Sequence, residues 1–402
     1  MWLHRASSGC KHSMKVAVLS QAYLVSEFRK GLHELGQTVD LLVVSPRQSR
    51  GRPRLESVLR HSAGSEESGD YTFIQLPSIK LFGAQYLLLS PTLGFKRFQP
   101  DVIQVESNPW TVVFWQAMLC RRLFAPRARV VAMVKKNTFR SYSGIRGRLK
   151  RWFATASVRR VDRFISTSEM TSRLYEREFK VNPGRLTIST HVGVDTDAFR
   201  PGPERREPTE PLVVGYCGRL AAEKGVTDLL EAVANCRLRD GLNVRLRLLG
   251  GGALQDQLAS QALECTWLEV VAPIPNHDVP RFLALIDVFA LPSRVLPDHE
   301  EHDAHALTEA LAAGVAAIGT RSGIIPELLG DGTGLLVDPE HPLELAEGLR
   351  LLLTSDELRA DLGVRGRAKA LRRFALPEVA RERIDLYKSI LADEDSGMRA
   401  RS

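Results

Sequence analysis

Residues Leu291–Glu327 read LPSRVLPDHEEHDAHALTEALAAGVAAIGTRSGIIPE. The apolar run Val288–Leu291 leads into this stretch as a buried strand. A helical pattern follows at Leu307–Ala313 and a second strand at Ala316–Gly319. Strand, helix and strand in close succession make a parallel βαβ unit. Glu301 and Glu309 are separated by seven residues. Eight helical steps would place them roughly 12 Å apart. Each carboxylate can accept from two adjacent hydroxyls, so two at this distance can hold both ends of a nucleotide sugar. On spacing alone the plainer reading is two solvated glutamates near a helix N-terminus, where negative charge is favoured. His299, His302 and His305 recur in the same segment among Asp298, Glu300, Glu301 and Asp303. Imidazoles and carboxylates so close can bind zinc, but these histidines would fan over about 120° of a helix.

The alternation extends outward on both sides. In the C-terminal half Leu212–Tyr216 and Arg245–Leu249 read as strands, and Val226–Cys236 and Pro377–Leu391 as helices. In the N-terminal half Lys15–Ser20 (KVAVLS) is a strand, followed by an amphipathic stretch from Tyr23 to Leu35. Gly36 then signals a helix end before a second strand, Val39–Val44. Further strands are expected at Thr72–Leu76, Val102–Val105, Val130–Val134 and Arg163–Thr167, and Pro46–Gly69 reads as a surface loop. Arg200–Pro211 (RPGPERREPTEP) has four prolines and no large apolar side chain, which marks a linker. The fold class is therefore α/β, with two doubly wound domains at 14–199 and 212–375. A helix at 376–392 follows, and residues 1–13 and 393–402 read as tails, with Met14 a candidate initiator. Two such domains create a cleft suited to binding, without naming a reaction.

Composition sets bounds on function. Hydrophobic residues are 44% and charged residues 25% of the chain, the balance of a globular protein. No apolar run approaches the roughly 20 residues that cross a bilayer, and the opening lacks the apolar centre of a secretory signal. Five cysteines, odd in number and scattered, point to a reducing compartment, so a cytoplasmic location is expected. Residues 1–200 hold 32 Lys and Arg against 15 Asp and Glu, while residues 201–402 hold 23 against 32. A basic first half suggests an anionic partner or simply a solvated basic face. Nucleic acid is not favoured, since no recognition motif or aromatic interleaving is present.

The motifs of the second half resemble, in register, the retaining glycosyltransferases of family 4, which have the GT-B fold. Tyr216-Cys217-Gly218-Arg219-Leu220 with Glu223-Lys224-Gly225 looks like that family's glycine–arginine–leucine and glutamate–lysine–glycine signature. Leu249-Gly250-Gly251-Gly252 resembles its strand-ending glycine loop, and Asp287–Ser293 (DVFALPS) its strand before the carboxylate motif. Gly319–Glu327 and Gly334–Pro339 (GLLVDP) resemble the loops that follow. The resemblance implies two Rossmann-like domains facing across a cleft, with the C-terminal helix crossing back to the first. It implies that Arg219 and Lys224 neutralise the donor diphosphate, so that neither metal nor cofactor is required. It also implies that Glu309 binds the ribose and Glu301 the transferred sugar. Gly218, Gly250, Leu307, Gly323, Ile324 and Ile325 would complete the donor site, the amides after Gly323 cradling phosphate. Ile324 stands where a second glycine is common, and His302 and Ala304 replace small residues, so the sugar pocket is expected to be unusual.

The first half resembles the family more loosely, as a divergent subgroup. Ser20-Gln21-Ala22-Tyr23 replaces a glycine-rich loop, Glu106 follows the strand Val102–Val105, and Lys135-Lys136-Asn137 stands where many members have a histidine. Glu106, Asn137 and Ser168 are candidates for the acceptor or sugar site. Core or capping roles fit them too, above all N-capping for Ser168. Asp195-Thr196-Asp197 resembles a metal-binding pair of another fold but sits in a turn. Ile145–Arg160 (IRGRLKRWFATASVRR) sets Leu149, Trp152, Phe153 and Ala156 on one helical face amid arginines. Such a helix suits an anionic bilayer, or packs on the sheet. The expected activity is transfer of a sugar, with retention, from a nucleoside diphosphate to a glycan or lipid-linked acceptor, at the inner membrane face. The alternatives are a metal-dependent hydrolase built on His299, His302 and His305, and a basic anion-binding protein without catalysis.

Overall fold

The computed structural model describes residues 13–47, 70–81, 85–135, 144–202, 210–297, 300–302 and 304–399, without side chains at 144–147, 149–150 and 393–399. Asn137, Asp298, His299, Asp303, most of the expected loop at Pro46–Gly69 and the middle of the linker lie outside the described residues.

The N-terminal half is built on strands β1 (Lys15–Leu19), β2 (Asp40–Pro46), β3 (Thr72–Leu76), β6 (Val102–Val105), β7 (Arg129–Val134), β8 (Arg163–Ser166) and β9 (Leu186–Ile188). A hairpin, β4 (Ser78–Lys80) and β5 (Tyr86–Leu88), stands apart from them. The seven strands form a parallel sheet in the order β3-β2-β1-β6-β7-β8-β9. Helices α1 (Lys30–Gly36), α2 (Phe95–Phe98), α3 (Val112–Phe124), α4 (Gly144–Val158) and α5 (Glu169–Phe179) connect them. Side chains alternate faces along a strand, and β1 shows the result. Ala17 and Leu19 enter one core with Ile103, Phe114 and Tyr175, while Val16 and Val18 enter another with Leu32, Tyr387 and Ile390.

The C-terminal half repeats the plan with β10 (Leu212–Cys217), β11 (Val244–Leu249), β12 (Leu268–Val271), β13 (Val288–Leu291), β14 (Ala316–Thr320) and β15 (Leu335–Val337). Their parallel order is β12-β11-β10-β13-β14-β15. Helices α6 (Val226–Leu238), α7 (Gln255–Glu264), α8 (Val279–Leu283), α9 (His305–Ala312), α10 (Ile325–Leu329), α11 (Pro342–Thr354) and α12 (Asp356–Arg373) surround it. The last helix, α13 (Leu376–Arg399), packs back on the N-terminal sheet and supplies Ile384, Tyr387 and Ile390 to its core. The crossing is tight. Val194 N donates to Phe374 O at 2.6 Å and Leu376 N to Val194 O at 3.1 Å.

This is the GT-B arrangement of two Rossmann-like domains. In each sheet the strand order reverses beside the first strand, between β1 and β6 and between β10 and β13. The crevice outside the strand ends at such points is where ligands bind. Among the described residues no helix is long and apolar enough to cross a membrane.

Two expectations need correction. Tyr23–Leu35 is not one helix; Ala22–Leu24 and Ser26–Arg29 are 3-10 turns before α1. Gly36 does not end that helix through a left-handed turn, since its φ is not positive. It is needed for space, because a Cβ there would lie 2.3 Å from Asp70 O.

Candidate active site

The carboxyl ends of β10 and β13 carry the first group of candidates. Gly218 N donates to Leu249 O and Gly250 N to Val271 O, so the two glycines sit side by side at the strand ends. A Cβ on Gly250 would fall 1.8 Å from Gly218 O. Arg219 follows, largely exposed, with its guanidinium 2.8 Å from Glu223. Lys224 turns inward, and its Nζ lies 2.6 Å from Glu301 Oε2. Ser293, just beyond β13, donates to the same oxygen at 2.6 Å. Glu301 is only 4% exposed, and an ammonium and a hydroxyl on one carboxylate oxygen offset the cost of burying it.

Glu301 is not on a helix, because α9 begins only at His305. The helical separation of roughly 12 Å inferred from eight residue steps therefore does not apply, and His302 likewise lies outside a helix. Glu301 lies instead in a non-helical segment clamped at its backbone. Ile324 N donates to Glu301 O at 3.0 Å, and Glu301 N donates to Ser322 Oγ at 3.4 Å. Gly323 has φ +52°, and a Cβ there would stand 1.9 Å from Glu301 O, so this turn requires glycine. The amides of Ile324 and Ile325 are already engaged, by Glu301 O and Ser322 O. In this arrangement they do not form the open phosphate cradle that the sequence suggested. Leu307 and Ile325 bury their side chains completely in the C-terminal core.

Glu309 stands one turn into α9 after His305 and looks across the cleft. Burial pushes its carboxyl up to about 7; His305 and Lys30 oppose that rise, and Glu27 adds to it. Glu27 and Lys30 belong to the N-terminal half. Its influence also reaches the Cys217 thiol, which burial and then Glu309 push up to about 12. The halves also meet through rings, with Phe28 5.4 Å and His191 6.4 Å from His305. Glu327 accepts from the amide of Glu169 at 2.8 Å and so caps α5 from the opposite domain. The cavity between the halves is lined by Thr167, Ser189 and Thr190 on one side and by His305, Thr308 and Glu327 on the other.

At the N-terminal switch point Glu106 is fully buried. Its oxygens accept from Tyr23 OH at 2.8 Å, Gln104 Nε2 at 2.9 Å and His191 Nε2 at 2.8 Å. Burial alone would raise its carboxyl, but His191, Arg383 and Lys135 outweigh that and hold it well below the usual carboxylate range. Ser168 is the N-cap of α5, accepting from Thr171 N at 3.1 Å. Asp195 closes its own turn, accepting from Ala198 N at 3.0 Å, and pairs with Lys30. On α4, Trp152 is 68% and Phe153 39% exposed, while Ala154 and Val158 face the core. Among the described residues no group of three or more His, Cys, Asp or Glu is placed to hold a metal ion.

Sequence reasoning missed Ser293, Ser322, Tyr23, Gln104 and His191 as members of these clusters. Ser293 follows the strand-like run Val288–Leu291 that the sequence had marked, which is the signal that would have found it. The others carried none.

The comparisons agree with this architecture. Residues 202–369 match the family described as glycosyl transferases group 1, and residues 21–189 match the glycosyl transferase 4-like domain. The chain is 25% identical over 362 residues to alpha-maltose-1-phosphate synthase of Mycolicibacterium smegmatis, covering 83% of this chain and 90% of that one. It is 30% identical over 234 residues to a GDP-mannose-dependent alpha-(1-6)-phosphatidylinositol monomannoside mannosyltransferase of the same organism, covering 54% of this chain and 61% of that relative. In fold it is similar to sucrose-phosphate synthase from Thermosynechococcus elongatus, with a TM-score of 0.70, 18% identity and coverage of 94% and 100%. It is also similar to Anabaena HepE in complex with UDP, with a TM-score of 0.68, 17% identity and coverage of 94% and 100%. With both halves matched and the GT-B architecture in place, the chain is a glycosyltransferase related to the 4-like family.

Proposed function

We propose that this protein transfers a hexosyl group from a nucleoside diphosphate sugar to a glycan or lipid-linked acceptor, with retention of configuration and without a metal ion. The observation that carries the reading is the convergence of Lys224, Ser293 and Glu301 at the switch point of the C-terminal sheet, with the exposed Arg219 at the end of β10, where this fold class binds ligands. A departing nucleoside diphosphate gathers negative charge, and fixed cations aimed at it stabilise the transition state. Arg219 is exposed and keeps donors beyond the one facing Glu223. Lys224 has three donors, and its contact with Glu301 spends one. Glu301, held by Lys224 and Ser293, offers its other oxygen to sugar hydroxyls. Glu309 would accept from the ribose.

In this reading the acceptor hydroxyl attacks on the face that the diphosphate leaves, and a phosphate oxygen takes its proton. The relatives support the substrate class, since one is named for maltose 1-phosphate synthesis and another for a phosphatidylinositol mannoside acceptor. A lipid-linked acceptor suits the exposed Trp152 and Phe153 flanked by Arg148, Arg151, Arg159 and Arg160, which we propose as an inner-face membrane contact of a cytoplasmic enzyme. The four cysteines among the described residues are free, which fits that compartment.

Calorimetric titration with UDP and GDP tests the donor site. The wild-type chain should bind one of them, and Glu309→Ala should weaken that affinity by about a hundredfold, as expected for two lost charge-assisted hydrogen bonds. Unchanged affinity in the variant would remove Glu309 from the donor site.

A further inference from the structure

Two charge pairs join the same two segments at the switch point of the C-terminal sheet. The first is Lys224 with Glu301. The second links Asp228, in the first turn of α6, to Arg294, just beyond β13. Arg294 Nε donates to Asp228 Oδ2 at 2.8 Å and Nη2 donates to Oδ1, so the guanidinium grips both carboxylate oxygens. Nη2 also reaches Thr227 Oγ1 at 3.4 Å. The Asp228 side chain is only 11% exposed, which separates this pair from the loose surface pairs that hold no geometry.

The two pairs lie side by side. Asp228 follows Lys224 within one turn of chain, and Arg294 adjoins Ser293, which donates to Glu301. The backbones between them are closed up. Gly225 has φ +64°, and a Cβ there would stand 1.9 Å from Pro292 O and 3.4 Å from Asp228 Oδ2. Arg294 N donates to Glu223 O at 3.0 Å. Arg294 O accepts from Ser322 Oγ at 3.3 Å, the same hydroxyl that accepts from Glu301 N. Arg294 is thus tied to the Lys224 segment by backbone and side chain, and to the Glu301 backbone through one hydroxyl.

Two cations and two carboxylates packed this closely have more than one way to pair. A bidentate guanidinium–carboxylate contact is directional, whereas an ammonium is a point charge that follows the nearest anion. While Asp228 holds both edges of Arg294, that guanidinium does not compete for Glu301. While Arg294 holds both oxygens of Asp228, that carboxylate does not draw Lys224 away. Apolar packing would join the two segments at lower desolvation cost, but it would not sort their charges. We infer, on the transferase reading above, that Asp228 and Arg294 are positioning residues: by binding each other they keep the Lys224 ammonium on Glu301 and aim its remaining donors at the donor diphosphate.

UDP and GDP are the probes, titrated by calorimetry into the full chain, with thermal unfolding recorded for every variant. For the nucleotide that the wild type prefers, Lys224→Met should weaken binding by about tenfold or more, the loss of a charge-assisted contact. Asp228→Asn and Arg294→Gln, each close in size to the residue replaced, should weaken it by about fivefold or more, as residues coupled in one network do. Arg294→Lys should also weaken it, since an ammonium lacks the planar fork. In the Lys224→Met background, Asp228→Asn should change affinity by less than about twofold, because the group it positions is gone. A merely structural pair would lower affinity equally in both backgrounds. Should Asp228→Asn fail to fold, Arg294→Lys carries the same comparison. Equal losses in both backgrounds, or full affinity in Asp228→Asn or Arg294→Lys, overturn the inference and leave the transferase reading in place. A wild type that binds neither nucleotide overturns the transferase reading, and a Lys224→Met variant that binds as the wild type does overturns the role given there to Lys224.

Discussion

Glu309 is buried against the cleft wall, and the ribose-binding role proposed for it would need its charge. Its carboxyl titrates near 7 in the folded chain against an ordinary 4.5. Between those values the folded state keeps a proton that the unfolded state has lost, so stability falls as pH rises through this window. Glu309→Gln is therefore expected to stabilise the ligand-free protein by about 1–3 kcal/mol at pH 8 and by little at pH 5, read by urea unfolding. Nucleotide affinity should move the other way in the wild type, rising several-fold from about pH 6 to pH 8 as the accepting carboxylate forms. A flat profile in both measurements would show that burial does not shift this group. Glu301, Glu309, Arg219 and Lys224 stood out in the sequence as candidates. That Lys224 and Glu301 hold each other was not legible there, because 77 residues separate them and no local pattern relates them.

At the scale of elements, the buried strands were easiest to read. Val102–Val105 and Val288–Leu291 are buried at every position, and such runs declare themselves as central parallel strands. The short strands β9, β12 and β15 did not, being three or four residues long and only partly buried. The 3-10 turns before α1 were hidden for another reason. Their apolar residues keep a helical spacing, and tertiary contacts, such as Tyr23 OH on Glu106, set the local path. Helix α5 makes an unusual demand, since Ser168 caps it from within and Glu327 from the other domain. Glu327→Ala should cost about 1 kcal/mol, the usual value of a lost cap. It should also speed hydrogen exchange at the Glu169 amide without weakening nucleotide binding. Unchanged exchange there would mean that water replaces the carboxylate at no cost.

For the molecule as a whole, α13 makes the two halves interdependent. Its Tyr387 is fully buried beneath the N-terminal sheet, although it lies in the chain after the entire C-terminal domain. Tyr387→Ala should destabilise the N-terminal half by about 3–5 kcal/mol, the cost of truncating a buried aromatic side chain. Denaturant unfolding followed in the presence of nucleotide should show the N-terminal half melting first; an unchanged midpoint would mean that the helix only rests on the surface. The sequence by itself determined the alternation of strands and helices, the break at the prolines of the linker, and the residue types on which the proposed donor site rests. Each of these is written within a few neighbouring residues, through side-chain periodicity and backbone restriction. Only the tertiary structure decided which charges meet. His191 reaches Glu106 across 85 residues and Arg383 reaches His191 across 192, because parallel strands bring distant segments to one sheet edge and the last helix returns to the first domain.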